Sequence, residues 1–192
     1  MKILLMALTG SAMFMVCLDD QRHANYEDKL AMAMPVPNDS EMARQAVNNF
    51  LSWYKNNVRT ANSIQLVNQE PGKPYSVNFK NGERYLTFLR GSKLLTDHYL
   101  NEWRIFFKER DQGFRLSQQV EGPPTGFDYD LVLLNQDVDM QLNSLNTLQI
   151  GEIKIHKDRA TVSLKLQDDY EFRLVRQDRQ WFIDEILNLS QE

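Results

Sequence analysis

One short segment of the chain concentrates acidic side chains in a way that could support chemistry. The segment runs from 128 to 139 and contains Asp128, Asp130, Asp137 and Asp139, with Tyr129 and Gln136 among them. Clustered carboxylates can bind a hard cation such as Ca²⁺, which takes about six to eight oxygens. A buried carboxyl can instead serve as a general acid or base. Aspartate is also a common turn and cap residue, and the missing glycine and final glutamate of a calcium loop favour this third interpretation.

Other reactive side chains are sparse. A hydrolase triad needs a nucleophile beside a histidine, but the sequence has no Gly-x-Ser-x-Gly turn and only His23, His98 and His156. Scattered histidines do not suit zinc, and Gly91-Ser92-Lys93 lacks the spacing of a phosphate-binding loop. The sequence therefore predicts no catalytic residue, no cofactor and no bound metal, and it favours a protein that is not an enzyme.

The start of the acidic segment is the best candidate for a ligand site. Two prolines and Gly126 precede it and interrupt helix or sheet, so a loop can deliver polar groups at this point. We expect aromatic rings to line the opening and the acids to point at it or to cap nearby groups. Side chains of a neighbouring helix could face the same site. The predicted ligand-binding residues are Asp130, Asp137, Tyr129, Phe127, Tyr99 and Arg104.

The N-terminus has the layout of a secretion signal. Lys2 is followed by an uncharged, mostly apolar run from Ile3 to Leu18, and acids follow at once. The run is shorter than the roughly 20 residues of a membrane-spanning helix, and a buried N-terminal helix is the weaker alternative. We therefore expect an exported protein, in the periplasm or anchored to the membrane of the cell envelope.

Cys17 is the only cysteine and stands where bacterial lipoproteins carry their acylated cysteine. The preceding Phe14, Met15 and Val16 depart from the small residues of that signal. Standard cleavage, at Ala12 or near Ala24, is the rival. If Cys17 is acylated, its lipid is the membrane contact expected of this protein, and no thiol chemistry remains for the folded part.

Composition and length indicate one globular domain. The chain has 192 residues, 26 of them acidic and 22 basic, for a formal charge of −4. Because no long basic stripe occurs, nucleic acid is not an expected partner. We divide the chain into a signal peptide (1–18), a tether (19–38) and a single domain (39–192).

Apolar periodicity predicts helices first. A helix capped by residues 38–40 continues to Val58, with apolar residues at three- and four-residue steps. After an Asn81-Gly82 turn, a second helix is expected within 83–95, with a break at Gly91. A third is expected to be capped by Asp97 and to end near Arg110, and 113–126 is expected to be a loop.

The pattern changes to alternation after Thr147 and predicts an antiparallel four-strand meander. The fold class is therefore α+β, with N-terminal helices packed on a sheet. Phe50, Trp103 and Trp181 lie on apolar stripes or alternating faces, so we expect all three to be buried between helices and sheet.

Several local patterns together are typical of a known superfamily. They are Phe50-Leu51-Ser52-Trp53-Tyr54, Tyr99-Leu100-Asn101-Glu102-Trp103, Gly126-Phe127-Asp128-Tyr129-Asp130 with Gln136-Asp137, and the closing strand Gln180-Trp181-Phe182-Ile183-Asp184-Glu185-Ile186. Over roughly 40–189 the chain resembles the nuclear transport factor 2-like, or cystatin-like, cone, and within it a family of exported bacterial domains of unknown function. The resemblance implies a curved antiparallel sheet around a long N-terminal helix, with a site between helices and concave face, but no established reaction.

The sequence leaves three functions open. The leading hypothesis is a non-enzymatic binding module of the cell envelope that engages a small ligand or an envelope protein. The alternatives are a small enzyme that uses a pocket carboxylate for proton transfer and an envelope immunity or assembly protein. A homodimer through the sheet is a further expectation. A hollow cone with a desolvated acid would favour the enzyme, and a filled cone would favour protein binding.

Overall fold

The computed structural model describes residues 38–191, and within them helices precede a four-stranded antiparallel sheet. The predicted α+β class is confirmed. The predicted signal peptide, Cys17 and residues 19–37 lie outside the described part. The helices are α1 (Asp39–Asn62), α2 (Phe79–Arg90), α3 (Asp97–Ser117) and the short α4 (Val138–Asn143), which runs into a 3₁₀ turn at Ser144–Thr147. No helix in 38–191 combines the length and apolarity needed to cross a membrane.

The strands form two separate sheets. A two-residue pair joins β1 (Val67–Asn68) to β2 (Ser76–Val77). The larger sheet contains β3 (Gln149–His156), β4 (Arg159–Lys165), β5 (Asp169–Gln177) and β6 (Gln180–Asn188), each beside its neighbour in sequence. The turn between β5 and β6 places Asp178 and Arg179 at φ 48° and 65°, as a tight hairpin requires. The predicted meander is confirmed.

Helix α1 fills the inner face of the larger sheet. Its apolar stripe includes Val47, Phe50 and Tyr54, all fully buried, and α1 contacts β3, β4 and β6. The strands of the sheet contribute alternating buried residues, such as Phe172 of β5 and Ile183 of β6. Because helical and strand periodicities present these side chains to each other, they pack as one apolar core.

Two of the three predicted core aromatics are buried. Phe50 and Trp181 lie between α1 and the sheet, as predicted. The prediction for Trp103 is wrong, since this ring is only half-buried. It packs edge-on against Tyr99 and Phe106 of its own helix, with ring centroids 6.4 and 5.2 Å apart. One side of the ring therefore stays in solvent.

Helix α2 begins four residues earlier than predicted, and the expected Asn81-Gly82 turn is wrong. Both residues lie in the first turn of the helix, where the Asn78 side chain accepts the Asn81 N–H at 3.0 Å. A Cβ on Gly82 would come within 3.1 Å of the Phe107 ring. The glycine thus permits a close approach between α2 and α3. The break predicted at Gly91 is confirmed, since the helix ends at Arg90.

Helix α3 extends to Ser117, past the predicted end near Arg110, so the loop predicted from Gly113 is wrong over its first residues. Phe114 is buried against Tyr75 and Phe127, with ring centroids 6.0 and 6.1 Å away. This packing outweighs the cost of about 1 kcal/mol that Gly113 imposes on a helix. The N-cap is Thr96, whose hydroxyl accepts the Tyr99 N–H at 3.0 Å, and Asp97 is the first helical residue.

Candidate functional site

A cleft of about 470 Å³ opens at the C-terminal end of α1. One wall of the cleft is formed by the C-terminal end of α1, by β1 and by the residues next to them. The other wall is formed by the acidic segment (128–139) and the residues just before it. Within the described chain, no residue of the four-stranded sheet lines the cleft, because α1 occupies the inner face of that sheet. This cleft is therefore not the site between helices and concave face that the resemblance implies, whereas a second cleft, of about 460 Å³, lies between α1 and the start of β3. The lining residues are Ala61, Asn62, Ile64, Gln65, Leu66, Val67, Gln69, Tyr85, Pro124, Phe127, Asp128, Tyr129, Asp130, Leu131, Gln136 and Val138.

Asp130 is the most constrained acid of this cleft. Its Oδ2 accepts the Tyr54 hydroxyl at 2.5 Å, and its Oδ1 accepts the N–H groups of Val132 and Leu133 at 3.0 and 2.8 Å. Only 7% of the residue is exposed. A carboxylate that accepts N–H groups two and three residues ahead closes a turn, and here it also ties that turn to α1.

Burial shifts the pKa values of Asp130 and of the two tyrosines near it, Tyr54 and Tyr85. It raises the pKa of Asp130 above its usual value, although the Tyr54 hydroxyl and the two backbone N–H groups act in the opposite direction. Burial also raises the pKa of the Tyr54 and Tyr85 hydroxyls, so both phenols stay neutral at ordinary pH. At ordinary pH the Tyr54 hydroxyl therefore keeps the proton with which it hydrogen-bonds to Asp130.

A buried polar network fixes the acidic segment to the sheet. The Asn135 amide donates to Asp168 Oδ2 at 2.6 Å, and Asn188 donates to the same oxygen at 3.0 Å. The Gln141 side-chain oxygen accepts the N–H groups of Gln167 and Asp168 at 3.1 and 3.2 Å. These contacts join Asn135 and Gln141 to the turn between β4 and β5 and so support the wall of the cleft. Sequence reasoning missed this network because its members are distant along the chain.

Three of the predicted ligand-binding residues come together in the cleft. Phe127, Tyr129 and Asp130 all line it. Phe127 is stacked on Phe107 and Phe114 of α3, with ring centroids 6.0 and 6.1 Å away, so its position is set by packing. The ligand-binding role of these residues stays a prediction, and their placement at one opening agrees with it.

The other three predicted residues do not line the cleft. Asp137 is exposed and occupies the N-cap position of α4 without a side-chain cap bond. Tyr99 is buried near Asp130, and its hydroxyl has no hydrogen-bond partner in the described chain. Arg104 forms a two-point ion pair with Glu83, at 2.7 and 2.8 Å, on the surface between α2 and α3.

Carboxylates and carboxamides are among the side chains that line the cleft. Asp128 and Asp130 are its carboxylates, and no lysine, arginine or histidine of the described residues lines it. Four carboxamides accompany them, from Asn62, Gln65, Gln69 and Gln136. The sequence contained a partial signal for these residues, namely the polar side chains that follow the apolar stripe of α1. Their convergence with the acidic segment was not visible in it.

The acids do not assemble into a metal site in the described chain. No three His, Cys, Asp or Glu side chains of 38–191 come close enough to hold an ion. Asp130 directs its oxygens to protein donors, and Asp137 lies outside the cleft. The arrangement thus offers the carboxylate of the exposed Asp128, together with amide oxygens, to an organic ligand.

Comparison with known proteins gives little further information. No family model and no curated protein matches the chain, so its membership of the nuclear transport factor 2-like superfamily stays a prediction. The crystal structure of the type VI native effector-immunity complex Tae3-Tai3 from Ralstonia pickettii matches over 75% of this chain and 94% of that chain. The identity is 17% and the TM-score is 0.43. Similarity of this degree does not establish a function for this chain.

Proposed function

We propose that this protein is a non-enzymatic binding module of the cell envelope whose cleft takes a ligand with a positively charged, hydrogen-bond-donating group. The proposal rests on the types of side chain that line the cleft. Two carboxylates and four carboxamides are among the lining residues, none of which is basic in the described chain, and the nearest positive charge acting on the lining is that of Arg110 on Tyr129. Electrostatic complementarity then selects a cation.

Asp128 is the carboxylate best placed to meet such a group. It is exposed, whereas Asp130 is buried. Tyr129 beside it is half-buried, and burial followed by the charge of Asp128 raises the pKa of its hydroxyl, while the charge of Arg110 acts in the opposite direction. An ammonium or guanidinium group at this position would contact the carboxylate and could also lie on the aromatic rings of Phe127 and Tyr129.

The hydrogen bonds of Asp130 favour binding over proton transfer. A general base must bring a carboxylate oxygen to the proton that it abstracts. Both oxygens of Asp130 already accept donors of the protein, and losing them would open the turn at 130–133. Asp130 therefore serves better as a fixed wall of the cleft than as a group that exchanges protons with a substrate.

The preference for a cationic donor can be measured with two probes that differ only in the terminal ammonium group. We expect acetyl-lysine amide to shift the backbone amide signals of lining residues such as Gln65 and Tyr129 in ¹⁵N-correlated NMR spectra, and acetyl-norleucine amide to leave them in place. Asp128→Asn should weaken the lysine probe about fivefold, because one exposed ion pair contributes about 1 kcal/mol.

Asp139→Asn is the matched control, since this exposed acid of the same segment does not line the cleft. It should leave the affinity unchanged. Equal shifts with both probes would contradict a cation site, because the charge would then contribute nothing.

Export is the second part of the proposal and rests on the N-terminal sequence. An uncharged apolar run that ends at acids is expected to be removed on secretion. Mass spectrometry of the protein from its native host should show that the signal has been removed, with an N-terminus after Ala12, at Cys17 or near Ala24. A mass that includes an acylated Cys17 would identify a lipoprotein, and an N-terminus at Met1 would overturn export.

A further inference from the structure

The second cleft, between α1 and the segment that leads into β3, has a polar side and an apolar side. Its helix side carries Arg44, Asn48 and Ser52, which are four residues apart and so lie on one face of α1. No acidic side chain of the described residues lines this cleft. Its charge is therefore the opposite of that of the cleft at the end of α1, which carries two carboxylates.

The side of the second cleft that faces α1 is apolar. Leu145, Leu148 and Ile150 lie there, and all three are half-buried against the core of the domain. An apolar group bound between them and α1 would remove their exposed surface from water, which favours binding. Polar groups on one wall and apolar groups on the other are suited to an amphipathic ligand.

Asn48 and Arg44 both have hydrogen-bond donors that no group of the described chain uses. The Asn48 side-chain oxygen is enclosed without a partner in this part of the chain, whereas its amide nitrogen is neither enclosed nor hydrogen-bonded there. An enclosed oxygen without a donor lowers stability, so the stability of the fold does not explain an asparagine at this position. The Arg44 guanidinium has Glu41 3.4 Å from its Nε and makes no hydrogen bond within 38–191. A surface ion pair of this kind is weak, so Arg44 can bind a second anion.

We propose that the second cleft binds an aliphatic carboxylate. The carboxylate group accepts hydrogen bonds from the Arg44 guanidinium and from the amide nitrogen of Asn48, since charge-assisted bonds of this kind are the strong ones. The aliphatic chain packs against Leu148 and Ile150. This site does not depend on the proposed cation cleft, because the two clefts share no lining residue in the described chain.

Octanoate is the probe for this site, and uncharged octanamide and acetate are its controls. In ¹⁵N-correlated NMR spectra, octanoate should shift the amide signals of Leu148 and Ile150 and leave that of Gln65, in the other cleft, in place. Octanamide and acetate should each bind about fivefold more weakly, because octanamide lacks the charge and acetate lacks the chain. Equal affinity for octanoate and octanamide, or no shift at Leu148 and Ile150, would overturn the proposal.

Substitution of Asn48 separates a ligand-binding role from a structural one. Asn48→Leu should weaken octanoate binding about fivefold and raise the denaturation midpoint, because it removes both a donor for the carboxylate and an enclosed oxygen without a partner. Arg44→Gln should also lower the affinity about fivefold. Asn49→Leu is the matched control and should change neither quantity, since Asn49 is exposed and does not line the cleft. A lower midpoint with unchanged affinity in Asn48→Leu would show that Asn48 is structural and would overturn its binding role.

Acetyl-leucine distinguishes two sources of such a carboxylate. Tighter binding of octanoate would assign the site to a fatty acid, and tighter binding of acetyl-leucine would assign it to the C-terminus of a peptide that ends in an aliphatic residue. If neither probe binds, the inference is overturned and the proposed cation cleft is unaffected.

Discussion

Replacing Asp130 with alanine is expected to lower the free energy of unfolding by about 3 kcal/mol. The change leaves three donors without their acceptor, the hydroxyl of Tyr54 and the N–H groups of Val132 and Leu133. Each buried unsatisfied group costs about 1–3 kcal/mol, and water entering from the cleft offsets part of this cost. Chemical denaturation at neutral pH measures the loss.

Two further variants test whether the loss of stability comes from the hydrogen-bonded turn at Asp130 or from the removal of a negative charge. Asp128→Ala removes an exposed neighbouring acid and should change stability by less than about 0.5 kcal/mol. Asp130→Asn keeps an oxygen for the two N–H groups but turns an amide toward Tyr54, so it should cost about 1 kcal/mol at neutral pH. A loss with Asp128→Ala equal to that with Asp130→Ala would contradict the role of Asp130.

The pH profile gives an independent check of burial at Asp130. Because the folded-state pKa of this carboxyl is raised, the folded domain holds the proton more tightly than the unfolded chain. This contribution to stability is fully present below the unfolded pKa and is lost as the pH rises through the folded one. The advantage of the wild-type protein over Asp130→Asn should therefore shrink as the pH rises from about 4. A constant difference would mean that the carboxyl is solvated.

Truncation of Phe50 to alanine is expected to cost about 3–5 kcal/mol, a large part of the stability of a typical domain. Phe50 is fully buried between α1 and the sheet and stacks on Tyr54, with ring centroids 6.1 Å apart. The cavity would open beside the hydroxyl that holds Asp130, so the cleft should loosen as well. Denaturant midpoints at constant slope measure the change.

The half-buried Trp103 provides the comparison. Since one side of its ring is in solvent, Trp103→Ala should cost less than Phe50→Ala, about 1–2 kcal/mol. Ile105→Ala on the same helix is the control, because 48% of that side chain is exposed and its loss should be nearly neutral. Equal losses for Phe50 and Trp103 would show that the described packing of α1 on the sheet is wrong.

The sequence alone determined the features that repeat over short distances. Apolar residues at three- and four-residue steps predicted α1, and alternation after Thr147 predicted the meander. These patterns are readable because each residue's side of a helix or strand follows from backbone geometry. The aromatic and acidic residues after Gly126 could likewise be proposed as the edge of a site, since prolines and glycine there exclude regular structure.

Only the tertiary structure decided what those residues contact. Asp130 meets Tyr54 across 76 residues of sequence, and the acidic segment is held by Asp168 in the distant turn between β4 and β5. The same packing extended α3 past Gly113 and put α1 where the resemblance had implied a site. Contacts between residues so far apart depend on how whole helices and strands pack together, and no short-range sequence pattern encodes them. The position of the cleft therefore followed from the tertiary packing, which brought the C-terminal end of α1 beside the acidic segment.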